Sequence, residues 1–140
     1  MELVRIYKCL CDRTRLRILN LLLEGPLCVC HVQEILDEPQ AKVSKQLSYL
    51  KNHGAVESTR FRNWTLYALA GEKSPVFREN LRCLQDARRE DPVFTGDLKR
   101  RSTVMARVEE NEDDCLAVMM REQKHAQRAA KLVGREGADR

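Results

Sequence analysis

Residues 28–53 read CVCHVQEILDEPQAKVSKQLSYLKNH, and their pattern predicts the central motif of the fold. Apolar side chains recur at helical spacing over residues 28–36 and again over residues 40–53. The break between them, Asp37-Glu38-Pro39, predicts a tight turn. Two short helices joined by such a turn are typical of a helix-turn-helix, whose second helix enters the major groove of DNA.

The residues before this stretch predict two further helices. One covers residues 3–11 and the other residues 14–24, each with apolar side chains at helical spacing. Asp12 is placed to cap the second helix, and Gly25-Pro26 is placed to end it.

After Gly54 the apolar period changes from helical to two-residue. Residues 56–61 and 65–69 predict two strands, joined by a short basic turn at residues 62–64. A hairpin that follows a helix-turn-helix is a wing. Ser74-Pro75 then predicts the start of a helix that continues to about residue 90.

From residue 93 onward the composition becomes more charged and less apolar. Residues 98–131 predict one exposed helix, while residues 109–114 and the glycines near the end predict solvated or disordered chain. We therefore divide the chain into a winged helix-turn-helix domain at residues 1–91 and a charged extension at residues 92–140. The predicted fold class is mainly α with a small β-hairpin.

The excess positive charge lies in the helix-turn-helix and the wing. The chain has a net charge of +4, and residues 40–62 alone, with five basic residues and one acidic residue, account for +4. A basic patch on one element is the electrostatic signature of a phosphate-binding surface, although a solvated charged face has the same composition.

The second helix of the pair has the side chains that DNA reading requires. Short polar groups suit base edges, whereas long cations suit phosphates. The wing arginines suit the minor groove or the backbone. The candidate DNA-binding residues are Gln40, Lys42, Ser44, Lys45, Gln46, Ser48, Tyr49, Lys51, Arg60 and Arg62. For Gln46 and Tyr49, exposure to solvent and packing on the hairpin are the alternatives.

The six cysteines point to free thiols in a reducing compartment. The N-terminal sequence MELVRIYKCL lacks the apolar core of a signal peptide, and four cysteines form C-x-C pairs, a spacing that rarely forms a disulfide. We therefore expect a cytoplasmic protein. No apolar run is long enough to cross a membrane, so we expect no membrane partner.

Three motifs resemble a known family. Residues 8–19, KCLCDRTRLRIL, look like its signature leading into the second helix. Residues 27–32, LCVCHV, look like the thiolate motif of its arsenic- and cadmium-responsive branch, and residues 39–51, PQAKVSKQLSYLK, look like its recognition helix. Over residues 3–91 the chain resembles the ArsR/SmtB family of bacterial metal-responsive repressors, in particular its arsenic-responsive branch.

The resemblance implies a homodimer with the first and last core helices at its interface. Each recognition helix and wing would dock on one half of a palindromic, double-stranded DNA operator. The resemblance further implies that the ion-free dimer represses transcription and that a bound metal or metalloid releases it. The last core helix has no histidine, which argues against the second type of metal site found in the family's zinc and nickel sensors.

Cys28 and Cys30 are the main candidate ion ligands. Residues two apart on an α-helix point about 200° apart, so both thiols can face one ion only if the start of the helix is irregular. Because this helix is the first of the DNA-reading pair, ion binding there would strain the DNA-binding element. Thiolates select soft ions: As(III) or Sb(III) as the inducer, with Cd(II), Pb(II) or Zn(II) as alternatives.

A third ligand is not evident near this pair. Where some relatives have a third cysteine, this chain has Gln33. Cys11 and Cys9, from either protomer, are the candidates, and His31 would suit Zn(II) or Cd(II) better than As(III). Cysteines at positions 83 and 115 are expected to be small buried apolar side chains.

Two other functions are compatible with these thiols. The same fold could sense oxidants or persulfide by forming disulfides. Alternatively, the protein could be a small thiol enzyme or a metal-trafficking protein, which would require a cysteine nucleophile with a base beside it. His31 and His53 are the only candidate bases in the predicted core, and no Gly-rich phosphate loop or C-x-x-C motif occurs. We therefore expect a regulator and not an enzyme.

Overall fold

The computed structural model describes residues 2–71 and 74–138. In chain order the elements are α1 (Leu3–Leu10), α2 (Arg13–Leu22), β1 (Leu27–Cys28), α3 (Val29–Leu36), α4 (Gln40–Asn52), β2 (Val56–Phe61), β3 (Trp64–Leu69), α5 (Pro75–Ala87), α6 (Pro92–Glu110) and α7 (Cys115–Ala138). The fold is mainly helical with a small antiparallel sheet, as the sequence predicted. None of the helices in the described ranges combines the length and the apolar character that a membrane span requires.

Local capping signals set several of the helix ends. The Asp12 side chain accepts a hydrogen bond from the Arg15 backbone N–H at 2.9 Å. Likewise, the Ser74 side chain accepts one from the Phe77 backbone N–H at 3.1 Å. Gly54 follows α4 with a φ of 79°, a left-handed conformation that glycine adopts without a steric penalty. The predicted starts of α2 at Asp12 and of α5 at Ser74 are therefore confirmed.

The helix-turn-helix consists of α3 and α4. Its turn passes through Asp37, which has a φ of 51°. Val32 and Ile35 of α3 and Val43 and Leu47 of α4 have no exposed surface and belong to one core cluster. This packing fixes the angle at which α4 is presented to solvent.

The sheet contains one strand more than the predicted hairpin. Its order is β1-β3-β2, and β1 pairs with β3 through Leu27 opposite Tyr67 and Cys28 opposite Leu66. Cys28 is therefore a strand residue, and the prediction that the helix begins there was wrong by one residue. Trp64 pairs with Phe61 across the hairpin, so the wing turn contains two residues and not three.

The extension forms two helices where one was predicted. A helix covering residues 98–131 without interruption was wrong, because residues 111–114 leave helical conformation between α6 and α7. Asn111 ends α6 in an extended conformation, and Asp114 begins the next helix by accepting from the Leu116 backbone N–H at 2.9 Å. This break places Cys115 at an N-terminus and not in the middle of a long helix.

A buried ion pair attaches α6 to α2. Asp97 has no exposed surface, and its two carboxylate oxygens accept from Nε and Nη2 of Arg17 at 2.8 and 2.9 Å. Arg100 donates to the same carboxylate at 2.6 Å. Apolar side chains of α6 and α7, such as Val108 and Met119, also belong to the main core cluster. The extension therefore packs onto the winged helix, while its role as a separate domain stays a prediction.

Candidate metal centre and DNA-binding surface

Cys28 and Cys30 lie on either side of the strand-to-helix junction. Cys28 is the N-cap of α3, with the extended dihedral angles φ −75° and ψ 156°, and is buried. Cys30 lies in the first turn of α3 and is exposed. Because Cys28 is not helical, the divergence of about 200° that a regular helix imposes on residues two apart does not apply to these two thiols. The structure thus has the irregular helix start that a shared ion requires.

Cys115 completes a cluster of three sulfurs. Its Sγ lies 3.7 Å from Sγ of Cys30, although the two residues are 85 positions apart. Two metal–sulfur bonds of about 2.3 Å at a tetrahedral angle place their sulfurs about 3.8 Å apart. Cys28, His31 and Cys115 also have ligand atoms within 4.8 Å of one another. The donor set is therefore compact enough to hold a soft ion.

His31 lies beside the sulfurs but has a partner of its own. Its side chain is almost fully buried, with Nε2 3.0 Å from Oδ2 of Asp114 and 4.0 Å from Sγ of Cys115. Nδ1 of His31 is buried without a hydrogen-bond partner among the described residues. His31 can thus serve as a ligand only if Nε2 leaves Asp114 or the ring turns.

The thiols of the cluster differ in acidity. The hydrogen bond from Cys28 and the positive potential of His31 outweigh burial and lower the pKa of Cys30 to about 6. The same hydrogen bond, together with burial, raises the pKa of Cys28 far above its usual value. Burial raises the pKa of Cys115 to about 11. At neutral pH the cluster therefore contains one thiolate, at the exposed Cys30, and thiolates are the form that binds metals.

Asp114 stays ionised beside this cluster. Its burial favours the neutral carboxyl, but the hydrogen bonds from His31 and from the Leu116 backbone N–H outweigh that effect and lower the pKa of Asp114. An ionised Asp114 keeps its hydrogen bond to His31 at neutral pH. The carboxylate therefore holds the imidazole in place next to the sulfurs.

The other cysteines lie elsewhere. Cys9 has no exposed surface and is part of the core, where burial raises its pKa, while Cys11 is exposed after the end of α1. Within one chain, the described residues contain no group of three ligands that includes either of them. Cys83 is exposed on α5, so the expectation that it is buried was wrong. Cys115 is buried as expected, yet it faces the other sulfurs.

Cys30 lines two cavities. One, of about 300 Å³, opens between α3 and the loop before α7 and is lined by Cys30, His31, Glu34, Arg107, Asn111 and Asp114. The other, of about 430 Å³, extends from Cys28 and Cys30 to the start of α4 and the wing, where Gln40, Ser44, Asn63 and Trp64 line it. Solvent therefore reaches the thiols from the side on which the recognition helix begins.

The outer face of α4 presents most of the candidate DNA-binding residues. Residues Gln40, Lys42, Lys45, Ser48 and Lys51 are exposed, and Ser44 is half-buried. Lys42 forms an ion pair with Glu38 at 3.1 Å, so it must exchange that carboxylate for a phosphate in order to bind DNA. The pattern of exposed polar side chains on one helical face matches what a major groove accepts.

Gln46 and Tyr49 have partners inside the protein. Nη1 of Arg15 donates to Oε1 of Gln46 at 2.9 Å, and the Arg15 guanidinium carbon lies 4.1 Å from the centre of the Tyr49 ring. The other face of Tyr49 stacks on His53, with ring centres 4.1 Å apart. Tyr49 therefore packs against Arg15 of α2 and against His53 at the end of its own helix.

The two wing arginines are exposed. Arg62 lies at the tip of the hairpin with a φ of 54°. Its guanidinium carbon lies 5.1 Å from the centre of the Phe61 ring. This stacking orders the base of a long side chain while leaving its charged end available to solvent.

The fold and the basic face define a winged-helix DNA-binding protein with a thiol cluster beside its recognition helix. The arsR family of bacterial regulatory proteins matches residues 12–58, which include Cys28, Cys30, the whole helix-turn-helix and the first half of wing strand β2. The chain is 35% identical over 86 residues to arsenic resistance transcriptional regulator ArsR1 of Pseudomonas putida, covering 61% of this chain and 67% of that protein. It is 34% identical over 88 residues to the arsenical resistance operon repressor of Escherichia coli, covering 59% and 75%.

Among solved structures, the chain is similar to HlyU from Vibrio cholerae. The TM-score is 0.54 at 25% identity, and the match covers 59% of this chain and 87% of that one. This protein therefore belongs to the ArsR family of transcriptional regulators. The named relatives are transcriptional regulators.

Proposed function

We propose that this protein is a cytoplasmic repressor that binds operator DNA as a homodimer and leaves it when As(III) or Sb(III) binds to the thiols of Cys28 and Cys30. The observation that supports this most directly is the position of Cys28, the N-cap of the first helix of the DNA-reading pair. Soft thiolates favour soft ions, and two relatives are named for arsenic resistance.

The contacts of Cys28 link the proposed ion site to the elements that would bind DNA. Its backbone pairs with Leu66 of the wing strand β3, and the helix that it caps packs on α4. An ion that draws the Cys28 and Cys30 sulfurs together changes the dihedral angles at this junction. Such a change moves α3 relative to the wing, and both the wing and α4 must fit the DNA at once.

The proposed homodimer uses the exposed face of α1. Leu3, Val4 and Tyr7 are each more than half exposed and lie side by side on that helix, while Val76 of α5 is 46% exposed. Adjacent exposed apolar side chains on a small domain mark an interaction surface. Two copies joined there would present two recognition helices to a palindromic operator.

Anisotropy titration of labelled DNA from the protein's own promoter tests the proposal. We expect specific, salt-sensitive binding that arsenite weakens by about 5- to 150-fold, the range of most allosteric couplings. Cys28→Ser and Cys30→Ser should bind DNA normally but resist arsenite, whereas Cys83→Ser should respond like the wild type. If arsenite released a Cys28→Ser/Cys30→Ser double variant from DNA as it releases the wild type, this thiol pair would be ruled out as the sensor.

A redox sensor of the same fold is the second candidate, favoured by the 3.7 Å separation of the Cys30 and Cys115 sulfurs. Peroxide would oxidise the Cys30 thiolate to a sulfenic acid, and the Cys115 thiol would displace water from it to form a disulfide. In the same titration, release by peroxide but not by arsenite, Sb(III) or Cd(II) would favour this alternative. No salt-sensitive specific binding at all would favour a thiol enzyme or a metal-trafficking protein.

A further inference from the structure

The proposed ion site has two thiols on one segment, and a trivalent metalloid takes three. We propose that Cys115, at the start of α7, is the third thiol ligand, so that the C-terminal extension completes the site within one protomer. This inference rests on the proposed function and specifies its ligand set. The arsR family match ends at residue 58, so this ligand lies outside the part of the chain that the family defines.

The separations within the cluster support this assignment. Sγ of Cys115 is 3.7 Å from Sγ of Cys30 and within 4.8 Å of Sγ of Cys28. One ion with bonds of about 2.3 Å can bridge the Cys30 and Cys115 sulfurs at this separation, and the proposed site requires the Cys28 sulfur, within 4.8 Å of Cys115, to come within bonding distance of the same ion. Cys9 and Cys11, the candidates from sequence, belong to no such group within the described chain.

The position of Cys115 is fixed by the packing around it. The adjacent Leu116 is 2% exposed and Met119 is 4% exposed, and α7 packs against β1, the strand that contains Cys28. Asp114 caps α7 and also accepts from His31 of α3. These contacts come from both sides of the junction, so the thiol is held against its two partners before any ion arrives.

The neighbouring histidine favours a three-coordinate ion over a four-coordinate one. Nε2 of His31 is engaged with Asp114 at 3.0 Å, and a tetrahedral Zn(II) or Cd(II) would have to break this hydrogen bond to gain a fourth protein ligand. A trivalent metalloid needs only the three sulfurs. The ligand class that the site fits best is therefore trivalent arsenic or antimony.

The binding step balances without an oxidant. Arsenous acid exchanges its three As–O bonds for three As–S bonds to Cys28, Cys30 and Cys115. Counted from neutral thiols, the three thiol protons leave with the three hydroxides as three water molecules, and arsenic stays trivalent. The step also ties the start of α7 to the start of α3, so we expect α7 to become more resistant to proteolysis.

Arsenic X-ray absorption on the arsenite-loaded protein tests the assignment. We expect three sulfur neighbours in the wild type and in Cys83→Ser, but two sulfurs and one oxygen in Cys115→Ser and fewer than three sulfurs in Cys115→Ala. Arsenite affinity should fall by more than about 10-fold in both Cys115 variants, since losing an outer partner of a ligand alone has that effect. Bound arsenite should slow trypsin cleavage of α7 in the wild type and in Cys83→Ser, but not in the Cys115 variants.

The outcomes separate this inference from the proposed function. Three sulfurs in both Cys115 variants, with two in Cys11→Ser or Cys9→Ser, would overturn the assignment and leave the proposed function intact. No arsenic–sulfur bonds in the wild type would overturn both. Circular dichroism of each variant checks folding, so that a lower sulfur count in a folded variant reports the lost ligand.

Discussion

The backbone of Cys28 pairs with that of Leu66, so one thiol of the proposed ion site belongs to the same sheet as the wing. We therefore expect arsenite to alter amide hydrogen exchange in two places, at the start of α3 and along β3. Hydrogen exchange with mass spectrometry would detect both. Cys28→Ser is the control and should show neither change, and exchange that changes in α3 alone would contradict transmission through the sheet.

The acidity of Cys30 predicts its reactivity. Because its pKa is about 6 and those of Cys28 and Cys115 are raised, iodoacetamide should modify Cys30 fastest at pH 7. The rate should rise as the pH passes through about 6 and then level off, since the thiolate is the form that reacts. Peptide mapping from pH 5 to pH 9 measures this.

The Cys28→Ser variant provides the control for that profile. It replaces the thiol whose hydrogen bond most strongly lowers the pKa of Cys30. A serine hydroxyl can still donate, so Cys28→Ala, which cannot, should move the midpoint toward higher pH by more. An unchanged midpoint in both variants would contradict the role of Cys28.

The Asp97–Arg17 pair predicts a large loss of stability on substitution. Asp97→Asn removes the carboxylate that accepts two hydrogen bonds from Arg17 and leaves that guanidinium the more distant Glu38 carboxylate at 3.8 Å, and breaking a buried pair typically costs about 3 kcal/mol or more. Guanidinium chloride unfolding would measure the change. Glu109→Gln, an exposed change on the same helix, should stay within about 0.5 kcal/mol. Equal effects of the two would contradict the anchoring of α6 through this ion pair.

We expect the exposed Lys45 to contact a DNA phosphate. Lys45→Ala should weaken binding to specific and unrelated DNA to a similar extent and lower the slope of log K against log salt by about 1. Lys124→Ala on α7 removes the same charge from another exposed position and should leave the slope unchanged. A selective loss at the specific operator would instead indicate that Lys45 contacts a base.

The exposed face of α1 predicts the dimer interface. Tyr7→Glu introduces a charge where 55% of the side chain is exposed, and we expect it to convert the dimer to a monomer in analytical ultracentrifugation. Met120→Glu, at a position 45% exposed on α7, is the matched control. Dissociation by the Met120 change and not by the Tyr7 change would assign the interface to the extension.

Local sequence patterns were sufficient to predict the winged helix-turn-helix and to single out the proposed thiol pair. Asp12, Ser74 and Gly54 act on their own helix ends, and the period of apolar residues distinguishes α4 from the strands after it. These are local effects, because capping and periodicity depend on residues within a few positions of one another. The C-x-C pair is local in the same sense.

The residues that lie around that pair depend instead on the tertiary structure. The apolar spacing over residues 98–131 fits one long helix, so nothing local marks Cys115 as the start of α7. Its position 3.7 Å from Cys30 results from the way α6 packs on α2 and α3 and from the reversal at residues 111–114. Likewise, β1 is a two-residue strand that exists only because β3 passes beside it. The distance between two residues 85 positions apart depends on how whole helices and strands pack, and this packing cannot be predicted from local sequence patterns.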